Sequence, residues 1–320
     1  MRERSGAGLG LALLSALTFA TSGTFARPLI SGEWSAVAVV IARVGIAALV
    51  LAVPALLALR GRWPVLRRNA FPVVLFGLLG VAMAQACFFN AVRYLPVGVA
   101  LLLEYLGIVL VVGWMWLVHG QRPRRLTVAG SLTALVGLVF VLDLTGAGRL
   151  DPVGVLWGLG AGVGLAGYFV IAGRLDDELP SVVMASGGMA VGALALLLLG
   201  AVGALPLAAG TADVSFAGHR VSWLVPIAGL SLIAAVVAYL TGVAGTRLLG
   251  ARLSSFVGLT EVMFAVLIAW LVLDELPTVV QLAGGALIVG GVALVRVDEL
   301  RSAAGAVAPT PAEPALSGDR

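Results

Sequence analysis

Apolar residues run through this 320-residue chain in long stretches, with Pro, Gly and Arg gathered in the gaps between them. A membrane-crossing helix needs about 20 apolar residues, and roughly ten stretches approach that length. They cover residues 8–26, 34–58, 70–91, 97–118, 126–143, 153–173, 181–201, 222–243, 253–272 and 279–296, numbered here as spans 1 to 10. The gaps carry Arg27-Pro28, Gly61-Arg62-Trp63-Pro64, Leu95-Pro96, Arg122-Pro123, Asp151-Pro152, Leu179-Pro180 and Leu276-Pro277, which are read as marking the breaks. The longest gap, about 202–221, holds Asp213, His219 and Arg220 and reads as a loop. From about residue 301 the chain is rich in Pro, Ala and Gly, which predicts a disordered tail. The pattern predicts an all-α integral membrane protein of about ten transmembrane helices.

The second half repeats the first. A shift of 154 residues carries Pro72 onto Pro226, Arg93 onto Arg247, Trp116 onto Trp270 and Pro123 onto Pro277. It also carries Gly130 onto Gly284, Gly137 onto Gly291 and Val141 onto Val295. The expected organisation is a first five-helix repeat over 1–147, a second over 148–300, and a cytoplasmic tail over 301–320. Five is odd, so the second repeat enters the membrane the opposite way up. Charge agrees: basic Gln121-Arg122-Pro123-Arg124-Arg125 is matched by acidic Asp274-Glu275-Leu276-Pro277. Inverted repeats of this kind are a mark of secondary transporters, whose sites lie where the repeats meet.

Composition removes the soluble alternatives. Apolar residues make up 61% of the chain and charged residues 11%, against about 25% charged in a soluble domain. Every basic residue is Arg. With the N-terminus inside, about fifteen of the 20 bases fall on the cytoplasmic side, as the positive-inside bias requires. Those bases flank spans, so they predict no nucleic-acid surface. The opening Met1-Arg2-Glu3-Arg4 resembles a signal peptide, but its apolar run is nearer spanning length and reads as an uncleaved first helix. One Cys, Cys87, and two distant His, His119 and His219, offer almost nothing to a metal, and no cofactor is expected. There is no P-loop, HExxH or GxSxG, so neither an ATP-driven pump nor an enzyme is predicted.

Ionisable residues inside a span are costly and default to a function. Three stand out: Arg43 in span 2, Glu104 in span 4 and Glu261 in span 9. Spans 4 and 9 are repeat partners, yet Glu104 aligns with Gly258 and Glu261 with Gly107, a helical turn apart. At 1.5 Å per residue, Glu104 lies roughly 10 Å below the external face, Arg43 roughly 13 Å, and Glu261 roughly 12 Å above the cytoplasmic face. Arg43 and Glu104 are either a permanent ion pair or part of a proton pathway, and Glu261 is either a pathway carboxyl or a protonated, hydrogen-bonded one. Gln85, Tyr105, Tyr168, Tyr239 and Thr21 complete the candidate substrate and proton pathway, each with interhelical bonding as the alternative. Gln85 aligns with Tyr239, which suits a cavity lined by both repeats. Gly154, Gly158 and Gly162, continued by Ala166, form a small-residue ridge for close helix packing.

The segments Tyr94-Leu-Pro-Val-Gly-Val-Ala-Leu-Leu-Leu-Glu104 and Asp274-Glu275-Leu276-Pro277, with Ile41-Ala42-Arg43 before an Ala/Leu-rich run, resemble the EamA family of the drug/metabolite transporter superfamily. Leu103-Glu104-Tyr105-Leu106-Gly107 is similar to its threonine/homoserine exporter branch. The resemblance implies a proton-coupled or facilitative carrier with both termini inside and a central cavity built by both repeats. Export of small metabolites such as amino acids from the inner (plasma) membrane is the expected function. A drug exporter or an importer of the same fold is the alternative, and a non-transporting scaffold or sensor a third. The partners implied are a small-molecule substrate, the lipid bilayer and protons, with the chain acting as monomer or homodimer. The family often has Pro after the Glu or Gly of spans 4 and 9. Here those positions are Ile108 and Val262, so no proline is present to break either helix.

Overall fold

A computed structural model describes residues 2–95, 97–120, 122–142, 151–174, 178–273 and 278–306. Among these residues, nine helices are long and apolar enough to cross a membrane: Gly6–Ile30, Ala36–Ala58, Ala70–Ala91, Val99–His119, Pro152–Ala172, Ser181–Ala201, Leu224–Leu249, Ala251–Ile268 and Val279–Asp298. A shorter apolar helix, Arg125–Val141, takes the place of span 5. All ten predicted spans are therefore helical. Their outer surfaces are apolar, with Leu49 74%, Phe71 74% and Leu117 82% exposed. Exposed apolar surface on that scale is stable only against lipid or another apolar partner.

Local chemistry sets several helix ends. Ser35 caps span 2, its hydroxyl accepting from the Ala38 amide at 3.2 Å. Asp151 caps span 6, accepting from the Val153 and Gly154 amides at 2.8 and 3.2 Å, with Pro152 at the first helical position. The last helix runs to Ala306, beyond the predicted end at 300. The acidic Asp274-Glu275-Leu276-Pro277 segment and residues 307–320 of the tail lie outside the described residues.

The helices pack as the repeat requires. Span 2 lies along span 7 and span 5 along span 10, while span 1 packs on span 8 and span 3 on span 6. Renumbering every helix by five turns this list into itself, as a two-fold axis between the repeats demands. Spans 5 and 10 show it at atomic scale. A Cβ added at Gly137 would lie 2.6 Å from the Gly284 carbonyl oxygen, and one at Gly130 would lie 2.7 Å from that of Gly291. The four glycines that align pairwise in sequence thus meet crosswise in space. Near one end of this pair the Thr127 hydroxyl donates to the buried Asp298 carboxylate at 2.6 Å.

Several spans are not continuous α-helix. Span 1 divides at Thr21 into Arg2–Ala20 and Ser22–Ile30. Spans 3 and 8 each widen into a π-helical stretch, Gly77–Met83 and Leu232–Val237, in matching places. Spans 4 and 9 break at Leu106 and Leu259 although neither break has a proline. There the backbone tightens to three-residue turns, the Val109 amide donating to the Leu106 carbonyl at 2.9 Å and the Val262 amide to the Leu259 carbonyl at 3.2 Å. Small residues allow the neighbouring backbone to close in: a Cβ at Gly107 would collide with the Gly162 carbonyl oxygen. The ridge on span 6 is thus a packing surface, with Gly158 against Leu103 and Gly162 against the Leu103 carbonyl.

The loop between spans 7 and 8 contains an antiparallel hairpin, β1 (Val214–Phe216) and β2 (His219–Val221). The positive φ values of Ala217 (48°) and Gly218 (78°) make its turn. The sequence suggested only a loop here. Phe25 of span 1 stacks on Phe216 at 5.6 Å, Trp34 lies 5.5 Å from Trp223, and the Ser35 hydroxyl donates to the Pro206 carbonyl at 2.9 Å. The hairpin is moored to the Ser22–Ile30 end of span 1.

Candidate substrate cavity

A cavity of about 890 Å³ lies between the repeats. Its wall runs from Arg27, Ser31, Ala36 and Val92 at one end to Ala12, Thr246 and Ser254 at the other. Spans 1, 2, 3, 4, 6, 8 and 9 all contribute, so residues from both repeats face the same space. The hairpin stands over the first end, where Arg27 and Ser31 also line a recess beneath Val214–Phe216. Beyond the opposite end, Arg247 donates to the Leu179 carbonyl and to Ser181, and Arg68 pairs with Glu178 at 2.7 Å.

Seven of the eight candidate residues line this cavity: Arg43, Gln85, Glu104, Tyr105, Tyr168, Tyr239 and Glu261. Thr21 does not. Its hydroxyl donates back to the Thr18 carbonyl at 2.6 Å, a bond within its own helix at the place where span 1 divides.

Arg43 is buried. Its guanidinium donates to the Ala234 carbonyl at 2.7 Å, within the π-helical stretch of span 8, and lies 5.4 Å over the Phe19 ring. Its acidic neighbour is Glu261 rather than Glu104, the partner anticipated from depth. Tyr105 is a further neighbour of Glu261, and Gln85 of Tyr239. The two carboxylates line one cavity and feel each other electrostatically, and spans 4 and 9 are both broken beside them.

Aromatic rings form much of the remaining wall. Phe19 meets Tyr239 edge-on at 5.0 Å, Tyr239 meets Tyr168 at 5.9 Å, and Tyr168 meets Phe76 at 5.2 Å and Phe169 at 5.0 Å. Gly242 makes this cluster possible, since a side chain there would occupy the space of the Tyr168 and Ser15 hydroxyls. Ser15 itself donates to the Ala238 carbonyl at 2.8 Å, tying span 1 to span 8. Phe19, Phe88, Phe89, Phe169, Ser15 and Ser254 were not singled out from the sequence. The available signal was weak: Phe19 and Phe169 lie inside apolar spans, whereas Phe88 and Phe89 stand near the end of span 3, where belt aromatics are also expected.

A family model, the EamA-like transporter family, matches residues 6–143 and again 152–297. The chain belongs to the EamA-like transporter family. The double match covers both halves that the 154-residue shift superposes. A relative in Bacillus subtilis (strain 168), the uncharacterized transporter YwfM, is 30% identical over 112 residues, which are 35% of this chain and 38% of that protein. The matched stretch thus spans well under half of that relative's length. A solved crystal structure of a protein aligns with a TM-score of 0.73 at 21% identity, over 93% of this chain and 99% of its own, and so shares its fold. As an EamA-like transporter the chain is a multi-pass membrane protein, and its candidate cavity lies where the two family copies meet.

Proposed function

We propose that this transporter is a secondary active exporter of small metabolites such as amino acids, working by alternating access and driven by protons. The observation that carries the reading is the convergence of Glu104 and Glu261, from repeat-mate spans, on one cavity at the junction of the repeats. A carboxyl on a cavity wall binds a proton or a cationic group in turn, and exclusion of one by the other is the minimal coupling device. The two-fold scaffold supplies the second requirement, because exchanging the conformations of the two repeats opens the cavity to the other side. The distribution of Arg supports an inner (plasma) membrane orientation with both termini cytoplasmic. In that orientation the Arg27 end of the cavity faces outward and the packed Arg247 end inward.

The test is flux in vesicles. The full chain is reconstituted, a pH gradient is imposed, and a panel of amino acids is followed. Gradient-driven flux that is lost in Glu104→Gln and in Glu261→Gln is the expected result. Flux indifferent to both substitutions would remove the carboxylates from the mechanism. No flux of any metabolite would leave a non-transporting role.

A further inference from the structure

The two repeats differ in one place where their mates should match. Contacts align span 1 with span 6. A Cβ on Gly8 would lie 2.9 Å from the Leu248 Cβ, and one on Gly154 2.8 Å from the Tyr94 Cβ, and Leu248 is the 154-residue mate of Tyr94. Gly8 and Gly154 are therefore mates, an offset of 146 that pairs Thr21 with Gly167, Gly23 with Phe169 and Ala26 with Ala172. Among the described residues, span 6 packs on Ala251–Gly258, the half of span 9 toward the Thr246 end, whereas the mate pair, span 1 and Val97–Tyr105 of span 4, barely touch. In the first case a Cβ on Gly173 would lie 3.0 Å from the Ala251 amide nitrogen, and one on Gly258 3.1 Å from the Phe169 ring. In the second the cavity passes between the helices, lined by Gly23, Ala26 and Arg27 on one side and by Leu101 and Glu104 on the other.

The outer half of span 1 is built as a separate unit. Span 6 runs unbroken from Pro152 to Ala172, but span 1 divides at Thr21, where the Thr18 carbonyl accepts from the Thr21 amide at 3.3 Å and from its hydroxyl at 2.6 Å. Beyond the break, Leu29 is buried with Val214 of the hairpin and with Ile227 and Leu230 of span 8. The Phe25 ring stacks on Phe216 and fills the space beside Gly229. Leu224–Ser231 gives way in its turn to the π-helical stretch Leu232–Val237, so irregular backbone borders this unit on both of its spans. The mates of the hairpin, 60–67, enter the short helix Trp63–Arg68 instead, so the unit belongs to one end of the molecule alone. We propose that Ser22–Ile30, the hairpin and Leu224–Ser231 form one external gate, which swings about Thr21 and the span 8 π-stretch and seats Ser22–Ile30 against Val97–Tyr105. This rests on the carrier reading above and names its moving part. The seated contact copies the one that span 6 makes with span 9. Gly23 comes to the level of Glu104 and, because the two helices run antiparallel, Ala26 comes to the level of Leu101 one turn further out.

Paired cysteines in the full chain test the motion in vesicles, with Cys87→Ala removing the one native thiol. Ala26→Cys with Leu101→Cys spans the mouth, and Phe25→Cys with Phe216→Cys lies within the gate. A disulfide holds its Cβ atoms about 4 Å apart, so the first bridge fixes the seated gate. Bridging is read by loss of thiol labelling after oxidation, which needs no substrate. Flux of the amino-acid panel is read before oxidation, after it, and after reduction. Both pairs should bridge. The first bridge should abolish flux until it is reduced, and the second should leave flux as it is in the reduced protein. Where Leu101→Cys alone removes flux, Ala100→Cys on the same turn takes its place. Failure of the mouth pair to bridge, or flux that continues through its bridge, overturns the seating. Failure of the gate pair to bridge, or loss of flux through its bridge, overturns the single body. Silence of the wild type toward the whole panel overturns the carrier reading instead, and bridging of the mouth pair then still decides whether the gate seats.

Discussion

Adjacent glycines on span 10 offer a sharp test of the packing argument. Gly291 faces span 5: a Cβ there would lie 2.6 Å from the Gly130 carbonyl oxygen and 2.7 Å from both the amide nitrogen and the Cβ of Ala134. Gly290, one residue away, has nothing within 4 Å. Ordinary contact begins near 3.4 Å, so Gly291→Ala must separate the two helices locally by about 0.8 Å, against backbone atoms that have no rotamer to change. Overpacking of this kind costs about 1–3 kcal/mol. Gly290→Ala meets no obstacle and gains helix propensity, worth up to about 1 kcal/mol. The two variants should therefore move in opposite directions from wild type in reversible denaturation in micelles, followed by loss of helical signal. The symmetry adds a second arm, because Gly137→Ala makes the equivalent collision with Gly284 and should match Gly291→Ala in sign and size. If Gly291→Ala proves as harmless as Gly290→Ala, the crosswise glycine contact is not what holds spans 5 and 10 together.

Other outcomes follow from single contacts. Ser35→Ala removes both the cap of span 2 and the bonds to the 206–208 backbone. It should cost about 1 kcal/mol, as lost caps do, and speed protease nicking between 202 and 223. Unchanged cleavage there would show that the hairpin is moored by its aromatic contacts alone. Arg68→Ala should shift thermal stability by no more than about 1 kcal/mol, because both partners of its bridge to Glu178 are largely exposed. Moving the cavity carboxylate to its repeat mate, as the double variant Glu104→Gly with Gly258→Glu, should not restore flux in vesicles. A Cβ at Gly258 lies 3.1 Å from the Phe169 ring, so the new side chain starts in contact with the aromatic wall. Recovery of flux would mean that the site is more symmetric than the packing allows.

Sequence pattern carried the scaffold a long way. Ten spans, their order and their two-fold relation follow from apolar length and from a few aligned Trp, Pro and Gly residues, because lipid imposes one rule on every spanning segment. The breaks in spans 4 and 9 were hidden because they need no proline. At Gly107 the neighbouring backbone of span 6 comes close, and at Gly258 the Phe169 ring does; such contacts are a tertiary property. The hairpin was hidden because strands of three residues leave no alternation to read. Intramembrane charge marked Arg43, Glu104 and Glu261, which line the cavity, while Thr21 does not line it and bonds to its own backbone. The phenylalanines of the cavity carry no polar atom to mark them, and their inward facing is a tertiary property.

The imperfect symmetry of the carboxylates has a steric cause. The repeat mate of Glu261 is Gly107, where any Cβ would strike the Gly162 carbonyl of span 6. The mate of Glu104 is Gly258, where a Cβ would lie 3.1 Å from the Phe169 ring. Position 107 thus excludes a side chain outright, and position 258 admits one only if the ring gives way. The glycines let spans 4 and 9 bend toward their neighbours, and the bends bring the two carboxylates to one cavity. Glu261 then has Arg43 and Tyr105 as neighbours while Glu104 has Glu261, so the two carboxyls stand in different surroundings. A scaffold built from two matching halves thus encloses a cavity whose two carboxyls are not equivalent.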